Sequence, residues 1–97
     1  MNTARGAVVD TSAVPAAIAS GKLAGAGIDV LEAEPARDDD ALIAAWRDKH
    51  HPAHHRVVIN PHSAFYSVEG LMDMRVKGAE NCRRAILGQA LRNVVNN

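Results

Sequence analysis

Ala24-Gly25-Ala26-Gly27-Ile28-Asp29-Val30 decides the fold. The run is apolar and built of small residues. It lacks the apolar–polar alternation of a strand with one wet face. That suits a strand buried on both sides, as in a parallel sheet. Gly25 and Gly27 weaken a strand, and close approach by a helix or a ligand is the usual reason for them. Asp29 stands at the carboxyl end, the side on which open parallel sheets bind ligands.

Outward from this strand, helices and strands alternate. Downstream lies an acidic, proline-containing loop from Glu32 to Asp40. A short helix over 40–48 follows, with Leu42, Ile43 and Trp46 as its apolar stripe. His50 to His55 is a polar turn broken by Pro52. Residues 56–59 read as a second buried strand, stopped by Asn60-Pro61. Upstream, residues 7–9 read as extended. Ser12 is the expected N-cap of a helix to about Ser20, with Gly21 as its stop. Val14, Ala17 and Ile18 share one face of that helix, and Pro15 sits in its first turn, where a missing N–H costs little. Ser67 caps the longest expected helix, which runs to about Leu87 with Gly88 beyond it. Val68, Leu71, Met72, Val76, Ala79, Cys82 and Ile86 form its apolar stripe. Asp73 with Lys77, and Glu80 with Arg84, are spaced as i,i+4 ion pairs.

Strands separated by helices imply right-handed crossovers and a parallel sheet. A full dinucleotide-binding fold needs six strands and roughly 150 residues at about 30 per βαβ unit. A chain of 97 residues holds only part of one. The expected fold class is therefore α/β, the C-terminal half of a Rossmann-type parallel sheet with flanking helices. Residues 1–97 form one incomplete nucleotide-binding domain, with the long helix at about 67–87 leading to a tail. The tail, Gln89 to Asn97, has no usable periodicity.

Composition narrows the function classes. Eleven basic and eleven acidic residues give a formal net charge of +0, without the basic excess that phosphate binding demands, so no nucleic-acid partner is expected. A hydrophobic content of 47% argues against overall disorder. No apolar run approaches the roughly 20 residues of a membrane helix. Met1-Asn2-Thr3-Ala4-Arg5-Gly6 has no apolar stretch behind a basic start, so no secretory signal is expected and a cytoplasmic location is the default. Aromatic residues are only 3%, so a chain this short is expected either to lean on a partner or to have lost part of its own body. His50, His51, His54 and His55 cluster within one loop, but no cysteine lies near to complete a tetrahedral set, and no metal is expected. Cys82, the single cysteine, reads as a small buried apolar residue.

Three motifs follow one another in the chain. They are Asn2-Thr3-Ala4-Arg5-Gly6 with Val9-Asp10, then Gly25-Ala26-Gly27-Ile28-Asp29-Val30 with Glu34-Pro35, then Pro61-His62-Ser63-Ala64. In this order they resemble the C-terminal part of the NAD-dependent D-isomer-specific 2-hydroxyacid dehydrogenases. Phosphoglycerate dehydrogenase and the C-terminal binding proteins belong to that family. Residues 41–47 and 61–67 look most like the bacterial relatives of the C-terminal binding proteins.

The resemblance implies roles. Arg5 matches the arginine that binds the substrate carboxylate, for which a planar guanidinium is suited. His62 matches the acid–base histidine, which protonates the developing alkoxide in reduction. Glu34 matches the glutamate that pairs with it and fixes its orientation. Asp29 matches the residue that contacts the nicotinamide carboxamide. The backbone from Thr3 through Ala4 to Arg5 is expected to lie against the nicotinamide, with His62 at its edge. The implied cofactor is NAD, the implied substrate a small 2-oxo or 2-hydroxy acid, and the implied full-length assembly a homodimer.

The family's G-x-G-x-x-G turn is absent, because Gly25-Ala26-Gly27 neither continues the pattern nor opens a helix. A missing N-terminal half of the fold is thus an expected partner, and little activity is expected of the isolated chain. Two rivals remain at this level: a binding or corepressor-like module on a dehydrogenase fold, and a non-catalytic remnant.

Overall fold

Strand β1 (Ala26–Ile28) runs parallel to strand β2 (Val57–Ile59), with Ala26 opposite Val57 and Ile28 opposite Ile59. This pairing is seen in a computed structural model that describes residues 1–96. The residues fall into two units, Met1–Ala64 and Phe65–Asn97. In the first, β1 is held from both sides. Ala26 donates to the Arg56 carbonyl (2.8 Å) and Asn60 to the Ile28 carbonyl (2.9 Å). On the opposite edge, Asn2 donates to Gly27 (2.9 Å) and accepts from Asp29 (2.9 Å), as a one-residue parallel bridge to Ile28. The expected parallel sheet is present, as a crossover pair plus that bridge.

Both strands are shorter than expected. Pairing of β1 starts at Ala26, and Ala24 and Gly25 are exposed. Gly25 has a physical reason: a Cβ there would lie 2.7 Å from the Arg56 carbonyl oxygen, so the neighbouring backbone leaves no room for one. The expected burial on both faces fails for β2. Val57 faces the core, whereas Val58 is 64% exposed on the open face.

The helices follow their caps. Helix α1 (Val14–Ala19) is entered through a 3-10 turn, Thr11–Ala13. Asp10 caps that turn, and the expected cap, Ser12, instead donates to it from both its backbone (3.0 Å) and its hydroxyl (2.6 Å). Ala13 stands at the N-cap of α1, which has no side-chain cap bond. Residues 7–9 are not uniformly extended either: Gly6–Val8 form a 3-10 turn, and only Val9 is extended. Helix α2 (Ala41–Arg47) is capped by Asp40, which accepts from Leu42 (2.9 Å) and Ile43 (3.0 Å). Its stripe is shifted from the expected one. Leu42, Ile43 and Ala45 are buried, and Trp46 is 37% exposed.

Val14, Ile18, Ile28, Leu42, Ala45, Ala53 and Val57 make the core of the first unit. The histidine loop serves it. His51 Nδ1 accepts from the Ala53 amide (3.0 Å), and His54 Nδ1 bonds the Trp46 carbonyl (2.6 Å), which closes the turn that buries Ala53. Among the described residues, no three His, Cys, Asp or Glu side chains are grouped to hold a metal ion.

The second unit is helix α3 (Val68–Ile86) and the tail. Ser67 caps it as expected, accepting from Gly70 (2.9 Å). Asp73 pairs with Lys77, and Glu80 holds both Arg84 and Arg83, each at 3.1 Å. Asn81 exchanges two bonds with the Arg92 backbone, Nδ2 donating to its carbonyl (2.9 Å) and Oδ1 accepting from its amide (3.0 Å). These bonds fold back a tail whose sequence shows no period, and Asn97 lies outside the described residues. No residue of α3 is buried. Cys82 is exposed, which corrects the expectation of a buried thiol. A helical stripe marks a face able to be buried, and burial needs a second surface that its own unit does not supply. No helix among the described residues is long and apolar enough to cross a membrane.

Leu42 is fully buried. Leu42→Ala is expected to destabilise the first unit by about 2–5 kcal/mol, read from the urea midpoint. Cys82→Ser is expected to stay within about 0.5 kcal/mol, as for other exposed positions.

Candidate active site

Three turns lie at the carboxyl ends of the strands. The first follows β2. Asn60 still pairs with β1, and Pro61 then stops the ladder, because it has no N–H to give. His62 adopts φ +51, a left-handed conformation uncommon outside glycine. Such a residue persists only where its surroundings hold it. Here its amide donates to the Asp29 carbonyl at 2.8 Å. The next two amides, Ser63 and Ala64, donate to Asp29 Oδ1 (2.8 Å) and Oδ2 (2.9 Å).

The second turn is the acidic loop after β1. Glu34 Oε1 accepts from the Leu31 amide (3.0 Å), and Glu34 Oε2 meets His62 Nδ1 at 2.7 Å. An ionised carboxylate only accepts, so Nδ1 carries the hydrogen and the ring tautomer is set. The same contacts act back on the acid. The His62 ring first, and the Leu31 amide second, hold the Glu34 carboxyl below the usual carboxylate range. The Glu34–Pro35 peptide is cis.

The third turn is at Asn2. Its side chain is buried and spans the turn, Nδ2 donating to the Arg5 carbonyl (2.9 Å) and Oδ1 accepting from the Ala4 amide (3.1 Å). Arg5 follows in extended conformation, with its guanidinium donating to the Ala4 carbonyl at 2.8 Å. No carboxylate among the described residues pairs with it. Gly6 closes the turn onto the loop after β1. A Cβ at Gly6 would lie 2.1 Å from the Leu31 carbonyl oxygen, so only glycine lets the two chains touch here.

Two clefts open beside these turns. One of about 410 Å³ lies between Glu34, Pro35, Ile43, Trp46, Ile59 and His62. The other, about 330 Å³, lies between Met1, Thr3, Gly27, Asp29, Val58 and Asn60. The expected residues are thus brought together in part. Glu34 is bonded to His62, and Asp29 is bonded to the His62 turn. Thr3, Ala4 and Arg5 share the turn that Asn2 pins, and Asn2 is bonded in turn to the Asp29 backbone. The Arg5 guanidinium is bonded to the Ala4 carbonyl of its own turn. Asn2 was not among the expected site residues. Its signal was available, since an Asx side chain at the head of a turn commonly bonds the backbone two residues on.

The family of this chain is shown by comparison with known proteins. A family model described as "D-isomer specific 2-hydroxyacid dehydrogenase, NAD binding domain" matches residues 1–64. The chain belongs to that family. It is 39% identical over 90 residues to a D-specific alpha-keto acid dehydrogenase of Enterococcus faecalis, covering 84% of this chain and 27% of the relative. It is 38% identical over 96 residues to a glyoxylate reductase of Korarchaeum cryptofilum, covering 99% and 26%. Its structure is similar to a crystal structure of a D-lactate dehydrogenase from Treponema pallidum, with TM-score 0.70 and 28% identity, covering 99% of this chain and 30% of that one. An NAD-complexed D-isomer specific 2-hydroxyacid dehydrogenase from Lactobacillus delbrueckii gives TM-score 0.60 at 30% identity, covering 98% and 30%. The chain spans about a quarter of the length of the curated relatives it matches.

The Glu34–His62 contact has a pH sign. A carboxyl whose pKa is lowered by folding contributes stability above its unfolded pKa and loses it as pH falls through the folded one. The Glu34 side-chain carbon signal is expected to titrate below the ordinary carboxylate range in acid-going NMR. His62→Ala is expected to bring that titration up toward the ordinary range.

Proposed function

We propose that the polypeptide carrying this chain interconverts a 2-oxo acid and a D-2-hydroxy acid with NAD(H). The observation that carries the reading is the 2.7 Å contact between His62 Nδ1 and Glu34. It fixes the tautomer and turns proton exchange with a substrate over to Nε2. In reduction, Nε2 gives its proton to the carbonyl oxygen as that oxygen gains negative charge. In oxidation it takes the hydroxyl proton back. Glu34, with its second oxygen tied to Leu31, keeps the ring from turning. Arg5 holds the substrate carboxylate, after its guanidinium exchanges the Ala4 carbonyl for that partner.

The residues present fit one end of the cofactor. The cleft beside Thr3, Gly27 and Asp29 is largely apolar and large enough for a flat ring. Asp29 uses one lone pair of each carboxylate oxygen on an amide, so each retains acceptor capacity for a carboxamide N–H. Thr3 lines this cleft, and Ala4 follows it in the turn that Asn2 pins. NAD(H), when bound, supplies or accepts the hydride. No glycine-rich turn for the pyrophosphate is present in these 97 residues. The reading therefore includes an N-terminal half of the fold as the partner that completes the cofactor site. A homodimer and a cytoplasmic location belong to the same reading.

The test is NADH oxidation by the whole polypeptide with glyoxylate or pyruvate, followed by absorbance. His62→Asn is expected to lower kcat about 10²–10⁴-fold. Arg5→Lys is expected to raise KM roughly ten- to a hundredfold, the worth of a charged hydrogen bond. Unchanged turnover in His62→Asn would refute the assignment.

A further inference from the structure

Asp29 is 4% exposed, and no cation among the described residues pairs with it. A buried carboxylate without a counter-ion needs several good donors. Its partners are the amides of consecutive residues, Ser63 on Oδ1 and Ala64 on Oδ2, while its own carbonyl takes the amide of His62. All three bonds fall on the turn that holds His62 at φ +51. The Asp29 amide in turn donates to the Asn2 carbonyl, and the Asn2 side chain holds the Arg5 turn. We propose that Asp29 is a positioning residue for His62, a buried latch that fixes the histidine turn and joins it through Asn2 to the Arg5 turn.

The inference rests on the dehydrogenase reading for its consequence, and goes beyond it in assigning Asp29 a role that needs no cofactor. Without the latch, the Ser63 and Ala64 amides lose the carboxylate oxygens that accept from them. Of the three bonds that Asp29 makes to the turn, the backbone bond to the His62 amide then remains alone, so the left-handed conformation of His62 relaxes and Nδ1 leaves Glu34. The role is therefore visible in the ring, and not only in overall stability.

The test is NMR of the 97-residue chain without cofactor. In the unaltered protein, the Ser63 and Ala64 amides are expected to exchange about tenfold or more slowly than unstructured amides, although both residues are exposed. The His62 nitrogen shifts are expected to report hydrogen on Nδ1. In Asp29→Asn, which puts an NH2 against one of the two amides, the protection and the Nδ1 signature are expected to be lost, while far-UV circular dichroism keeps the helices. Retention of both signals in folded Asp29→Asn overturns the proposal. If Asp29→Asn fails to fold, the unaltered chain decides: fast exchange at Ser63 and Ala64 overturns the latch, and slow exchange supports it. NADH turnover is measured separately, so failure of the dehydrogenase reading and failure of the latch give different results.

Discussion

A carboxylate removed from water must be met by donors, and Asp29 meets that demand with backbone alone. Its position at the end of β1 is set by the sheet, through the bond to Asn2 on one edge and the pairing of Ile28 with Asn60 on the other. From that fixed point it dictates where the chain goes after β2. His62 has little choice of conformation once three successive amides are committed. Glu34 then finds the ring within reach, because its own loop is tied down at Leu31. The site is thus assembled from strand ends inward, and the side chains of chemical interest come last in the order of constraint.

The same economy explains the glycines that matter. Gly25 lets the β2 backbone close on β1, and Gly6 lets the Arg5 turn close on the loop after β1. Both contacts are backbone on backbone, where a Cβ has nowhere to go. Site geometry here depends on chain segments approaching more closely than side chains allow.

Much of the order of elements was legible in the residues. The parallel pair, the acidic loop, the capped α2 and the Ser67 start of α3 follow from patterns of one to a few residues. What failed needed information that a linear pattern lacks. Asp10 and Ser12 are both good caps, and only the direction of their mutual bond decides between them. Trp46 and Ala45 are adjacent on α2, and it is Ala45 that joins the core cluster with Ala53. Cys82 sits on an apolar stripe, yet burial depends on a covering surface, which is a tertiary property. In the site, Glu34 and His62 were found through the family's motifs. Asn2 works on backbone atoms, so its mark in sequence is that of an Asx turn and not of a charged pair.

That backbone character also bears on how the protein tolerates change. Asp29 grips the N–H groups of residues 63 and 64 and is indifferent to what their side chains are. Those two positions are thereby relieved of any duty to be serine or alanine for the sake of the grip. Drift there is permitted for every residue that keeps an amide hydrogen, and proline alone is barred. Divergent sequences can vary the surface just past the histidine without disturbing the geometry at the histidine itself.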